Sequence, residues 1–193
     1  MTTARLTSFT DGVIAVIITI MVLELPVPKV PGMAALKPLT VLFVVYALSF
    51  VKVGIYWSQH HNMLHAARRV DGRVLQANLL FLFWLSLIPF VVRWAGEAGI
   101  TRDTVLAFGV VMLLCSTSYA LLRSALLAAN DADAPIVKAS SGGLTGWKGI
   151  ATLVSYVLAI GAVFLSPAAA VLIYIAVALM WLIPNKRLER LAE

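Results

Sequence analysis

Arg5-Leu6-Thr7-Ser8-Phe9-Thr10-Asp11-Gly12 runs directly into Val13-Ile14-Ala15-Val16-Ile17-Ile18-Thr19-Ile20-Met21-Val22-Leu23. The second part is long and apolar enough to read as a membrane-spanning helix, and the first places an arginine and an aspartate at its mouth. An ionisable group facing lipid there costs about 3 kcal/mol or more, so the pair is expected to face protein or water. Arg5 and Asp11 are six residues apart, less than two helical turns, and share one end of the helix. Snorkelling accounts for Arg5. The short side chain of Asp11 needs a donor close by.

The rest of the chain has the same character. Of its 193 residues 61% are hydrophobic and 12% charged, about half the charge of a typical soluble domain. Six apolar stretches stand out, at 6–25, 36–60, 74–94, 102–129, 146–166 and 168–184. They predict an all-α membrane protein of six transmembrane helices in a single domain over 1–193. No basic n-region precedes the first stretch and Asp11 interrupts its start, so it is expected to remain as a helix rather than be removed as a signal peptide. Pro26 and Pro28 end the first stretch, Lys37-Pro38 opens the second, and Pro89 predicts a kink or an end in the third. Asn130-Asp131-Ala132-Asp133-Ala134-Pro135, followed by Ser140-Ser141-Gly142-Gly143, reads as the most polar and mobile linker.

Basic residues set the expected orientation. Arg5, Arg68, Arg69, Arg73, Arg123, Lys138, Lys148, Lys186, Arg187 and Arg190 fall on one side, and Lys29, Lys37, Arg93 and Arg102 on the other. This asymmetry predicts a multi-pass protein of the inner (plasma) membrane with both termini cytoplasmic. Lys52 falls inside the second span and is left out of the comparison. Trp57, Trp84, Trp94, Trp147 and Trp181 mostly lie near span ends, as an aromatic belt requires. The net charge of +6 then reflects basic loops that meet anionic lipid, with no nucleic-acid partner implied. The single Cys115 has no intrachain partner for a disulfide.

Gly12, Val16, Thr19 and Leu23 share one face of the first helix, with Ile20 beside them. Around a symmetry axis this line makes a hydrophobic constriction with a ring of threonines, an arrangement able to gate a pore by dewetting. Two plainer uses fit the same residues: the Thr19 hydroxyl bonding back to the carbonyl four residues earlier, and ordinary helix packing. Near the end of the second stretch, Trp57-Ser58-Gln59-His60-His61 supplies histidines on the same side as Asp11, able to donate to its carboxylate. Asn78, an amide early in the third stretch, suits hydrogen bonding between helices. His61 and His65 lack an acidic residue at ligand spacing, so no metal site is expected. No carbonyl filter loop, arginine ladder, phosphate-binding glycine loop or nucleophile elbow is present, and the chain does not read as an enzyme.

Arg5, Phe9, Thr10 and Asp11 match the Arg-x-x-x-Phe-Ser-Asp pattern of the transmembrane protein 175 family of potassium channels, which the chain resembles in its single-unit prokaryotic form. Trp57 with His60-His61, and Asn78-Leu79-Leu80 through Pro89-Phe90, extend the resemblance over the second and third spans, with general hydropathy beyond. The resemblance implies a homotetramer with the first helix lining a central pore, potassium as the permeant ion and no other cofactor. It places the constriction on Val16 and Leu23, selectivity on Thr19, with Ile20 a neighbouring candidate. The Arg-Phe-Thr-Asp stretch becomes an assembly motif tied to the second and third helices through Trp57, His60, His61 and Asn78. Thr10 stands for the family's serine and keeps its hydroxyl. Val16 is smaller than the isoleucine or leucine expected there, which moves the narrowest point toward Leu23 or Ile20. The competing readings are a small secondary or proton-linked transporter and a non-conducting membrane scaffold. The scarcity of intramembrane carboxylates in the last three spans disfavours the first of these.

Overall fold

The structure, a computed structural model, describes residues 2–140 and 144–182. All regular structure among them is helical: α1 Thr3–Leu23, α2 Thr40–His65, α3 Gly72–Leu85, α4 Ile88–Ala98, α5 Arg102–Ala129, α6 Pro135–Ser140, α7 Leu144–Val163 and α8 Pro167–Leu182. A 3-10 segment, Met33–Leu39, leads into α2. Among the described residues four segments are long and apolar enough to cross a membrane: Thr3–Leu23, Met33–His65, Gly72–Ala98 and Arg102–Ala129. Trp147–Val163 and Pro167–Leu182 are apolar but shorter. The 16 residues of α8 make about 24 Å of helix against a hydrocarbon core of about 30 Å.

Several boundaries differ from the expected ones for local reasons. The first helix starts three residues earlier than expected, with Thr2 as its N-cap, and stops at Leu23, before the prolines. Pro38 lies inside the 3-10 segment instead of in the first turn of α2. The second helix runs on to His65, so its histidines stand on continuous helix. The third span is split: α3 ends at Leu85 and α4 starts at Ile88, with Pro89 in its first turn. Proline cannot donate to the carbonyl four residues back, here that of Leu85, and its ring crowds it. Between the stretches expected at 74–94 and 102–129 the helix runs on to Ala98, and the chain turns at Gly99, where φ is +77°. The polar linker contains a short helix, α6, while Ser141, Gly142 and Gly143 lie outside the described residues. So do the end of the sixth stretch beyond Leu182 and Lys186, Arg187 and Arg190.

Helix α5 is the hub, packing against α3, α4, α7 and α8, while α1 lies mainly on α2, α3 and α4. Three rings from three helices meet at the centre. Tyr56, Phe81 and Tyr119 have centroids 5.3 to 5.5 Å apart, and the Tyr56 hydroxyl is 2.7 Å from Ser116 Oγ. Such tilted and edge-on contacts add to what burial alone contributes. Gly109 lets α8 approach α5, because a Cβ there would run into the Tyr174 hydroxyl, which donates to the Val105 carbonyl at 3.1 Å.

The α2–α3 turn is held by the end of α5. Asn130 Oδ1 accepts from the amides of Arg68 and Arg69 at 2.8 and 3.0 Å, and its Nδ2 donates to the carbonyls of Arg69 and Leu126 at 3.0 and 2.8 Å. Arg68 Nη1 donates to Asp133 Oδ2 at 2.7 Å. That hydrogen bond, and then the guanidinium charge, hold the Asp133 carboxyl below its usual 3.8.

Gly109→Ala should destabilise the detergent-solubilised protein by about 1–3 kcal/mol, the range for overpacking, measured by thermal or denaturant unfolding. Asn130→Ala should cost about 2 kcal/mol, because it removes several turn hydrogen bonds at once. Asp133→Asn should cost much less, since its partner is exposed. A carboxyl lowered in the folded state contributes fully above its unfolded pKa and loses that contribution as pH falls through the folded value. The difference between Asp133→Asn and the parent should therefore be constant at neutral pH and close once pH drops below about 3.8.

Candidate functional site: the two faces of the first helix

Helix α1 has a buried face and a bare face. Leu6, Thr10, Ile14, Ile17 and Met21 are all buried, at spacings of four, four, three and four. These spacings keep them on one side of the helix, against α2, α3 and α4. The other side carries Phe9, Gly12, Val16, Thr19, Ile20 and Leu23, all exposed within the subunit. Val16 is 55%, Ile20 39% and Leu23 78% exposed. The four residues expected to line a pore thus touch little of their own chain.

The rotation of α1 is set by polar contacts near its start. Thr10, His60 and Asn78 are each completely buried. Asn78 Nδ2 donates to Thr10 Oγ1 at 2.9 Å, and Asn78 Oδ1 is 2.8 Å from His60 Nε2. An amide oxygen only accepts, so His60 carries its proton on Nε2 in this arrangement. The resulting chain runs from α1 through α3 to α2, and the His60 ring lies nearly parallel to Phe81, 6.2 Å away. The second histidine acts elsewhere. His61 Nδ1 is 3.9 Å from Asp11 Oδ2, with the two side chains 48% and 32% exposed. Trp57 is exposed and contacts His61 by its ring at 6.1 Å, outside the hydrogen-bonded chain. His61 and His65 stack at 6.1 Å, and no third metal-ligating side chain joins them among the described residues. Arg5 is exposed and makes no ion pair with Asp11 among the described residues. Asp11 Oδ1 and His60 Nδ1 are buried with no hydrogen-bond partner.

Thr19 makes the expected bond back into its own helix. Its hydroxyl donates to the carbonyls of Ala15 and Val16, at 3.0 and 2.9 Å. With the proton turned into the helix, the oxygen lone pairs are left on the exposed side.

The surroundings of Lys52, placed inside the second span by the sequence, were not read from it. Lys52 is 4% exposed, and its Nζ lies over the rings of Tyr56, Trp181 and Tyr156 at 4.9, 5.5 and 5.8 Å. Aromatic faces stabilise a desolvated ammonium group. The clue was available in a lysine mid-span with aromatics in other spans, but the pairing of helices was needed to bring them together. Lys148, counted on the cytoplasmic side at the start of the fifth stretch, is also buried, donating to the Met180 carbonyl at 3.2 Å.

The buried chain gives a graded prediction. Thr10→Ser should be nearly neutral, Thr10→Val should cost about 1 kcal/mol, and Asn78→Leu should cost more because it strands His60 and Thr10 together. Unfolding in detergent measures the order, and equal costs for all three would contradict it.

Comparison with known proteins identifies the family. Residues 5–89, which include both faces of α1 and all three members of the buried chain, match the family model described as endosomal/lysosomal potassium channel TMEM175. A potassium channel of Chryseobacterium sp. (strain P1-3) is 38% identical over 190 residues, 98% of this chain and 97% of that protein. A potassium channel of Streptomyces collinus is 26% identical over 170 residues, 84% of this chain and 82% of that one. The fold matches the crystal structure of a lysosomal potassium-selective channel TMEM175 homolog from Chamaesiphon minutus with a TM-score of 0.75, at 21% identity over 93% of this chain and 95% of that one. A relative of this identity and near-complete coverage, on the same helical fold, makes this chain a member of the TMEM175 family.

Proposed function

We propose that the chain is a passive potassium channel, a homotetramer in the plasma membrane with both termini cytoplasmic and α1 lining a central pore. The observation that carries this reading is the bare line of Val16, Thr19, Ile20 and Leu23 on a helix whose other face is fully used. Four copies meeting on that line enclose a narrow path with apolar walls. Water empties from such a constriction readily, so an ion passes only where something replaces part of its hydration shell. The Thr19 oxygens supply that replacement: their protons are committed to Ala15 and Val16, and their lone pairs are left for a cation. The names of the relatives from Chryseobacterium and Streptomyces support potassium as that cation. Leu23, the most exposed of the line, forms the narrow end, and the smaller Val16 leaves more room at the other. The six apolar stretches act as one transmembrane unit around this path, with lipid on the outside.

The purified protein in liposomes should pass potassium down its gradient without ATP or a proton gradient. Thr19→Ala should lower the preference for potassium over sodium several-fold, a loss of roughly 1 kcal/mol in differential ion stabilisation, while Thr19→Ser retains it. Leu23→Ala should raise leak. Unchanged flux and preference in both Thr19→Ala and Leu23→Ala would remove α1 from the pore.

A further inference from the structure

The far end of α1 is gripped by a helix that the buried chain does not touch. Glu24 follows Leu23 directly, three residues on from the buried Met21, and faces α4. Arg93 Nη1 lies 3.4 Å from Glu24 Oε2, while its Nε donates to Glu97 Oε1 at 2.9 Å, one turn further along α4. The guanidinium is a planar fork, so fixing Nε on Glu97 also fixes where the outer nitrogen points. Helix α4 is itself seated. It is separated from α3 by the break before Pro89, its apolar face is buried, and Gly96 lies so close to α2 that a Cβ would come within 2.9 Å of Leu42 Cδ2. Glu24 is 22% exposed, against 59% for Arg93 and 64% for Glu97, so the inner carboxylate is the one held. Lys29 and Lys37, the nearest other cations in sequence, make no ion pair with Glu24 among the described residues.

We propose that Arg93 is a positioning residue for the narrow end of the conducting path: oriented by Glu97 and seated with α4, it holds Glu24 and thereby fixes where Leu23 stands. This rests on the reading that α1 lines the pore. Exposed ion pairs contribute little to global stability. The pair nonetheless joins the residue that caps the end of α1 to a seated helix, and the next residues, Leu25-Pro26-Val27-Pro28, are outside any helix. Loosening it frees Leu23 before it unfolds anything.

The experiment uses the full chain in liposomes, with tetramer assembly checked for each variant by size-exclusion chromatography. Arg93→Gln and Glu24→Gln should each raise potassium flux two- to fivefold, and the double variant should match either single one. In a Leu23→Ala background Arg93→Gln should have no further effect, because the side chain it positions has been removed. Additive effects of the two single variants, or an undiminished effect of Arg93→Gln in Leu23→Ala, would each overturn the inference. Unchanged flux in Arg93→Gln with raised flux in Leu23→Ala would overturn the inference alone. Unchanged flux in Leu23→Ala as well would remove the pore reading beneath it.

Discussion

The hydrogen bond from Asn78 to Thr10 determines which way the first helix faces. Helix α1 is apolar on nearly all sides, so burial alone distinguishes its faces poorly: Ile17 and Ile18, or Val16 and Val22, gain similarly from contact with lipid or protein. A hydroxyl and an amide buried at the α1–α3 contact are different, because each loses a partner if the helix turns. With Thr10 fixed inward, Ile14, Ile17 and Met21 follow it by helical geometry, and Val16, Thr19, Ile20 and Leu23 are left outward. A polar contact worth about one hydrogen bond therefore sets the rotation of an entire apolar rod.

How far this was readable from the sequence depends on whether the signal was local. The helical class was readable because nearly every stretch carries a strong apolar run, and helical spacing showed which residues of α1 share a face, though not which face turns inward. The split at Pro89 was visible as a kink or an end, since proline's missing N–H is a property of the residue. The extension of α2 to His65 was not: Gln59, His60, His61 and Asn62 look like a polar boundary, and only packing of Leu64 and His60 under neighbouring helices keeps the segment helical. The division of labour between adjacent histidines was equally hidden. Neighbours on a helix point about 100° apart, so one enters the core and the other meets Asp11, but which does which depends on the rotation of α2.

Lys52 shows the same limit from the opposite direction. A lysine inside a span invites a search for an acid, and the ion pairs among the described residues include none with it. Its surroundings are three rings contributed by α2, α7 and α8. Cation–π stabilisation leaves no motif in a single sequence, because the aromatic partners are ordinary members of apolar helices until tertiary structure gathers them.

The two ends of α1 are held by different physics, and the difference suits a helix that lines a path. At the Thr10 end the contact is buried, neutral and directional, so it is insensitive to salt and costly to break. At the Glu24 end the contact is charged and partly exposed, so it is weaker and screened by ions. A rod fixed firmly at one end and lightly at the other keeps its rotation while its far end retains small freedom of position. Thr19, nearer the middle, shares the rotation set by the firm end, whereas Leu23 sits beside the light one. In the proposed pore, discrimination among ions, which needs the oxygen held in place, and restriction of flow, which needs an apolar side chain with some freedom, would fall on different parts of one helix.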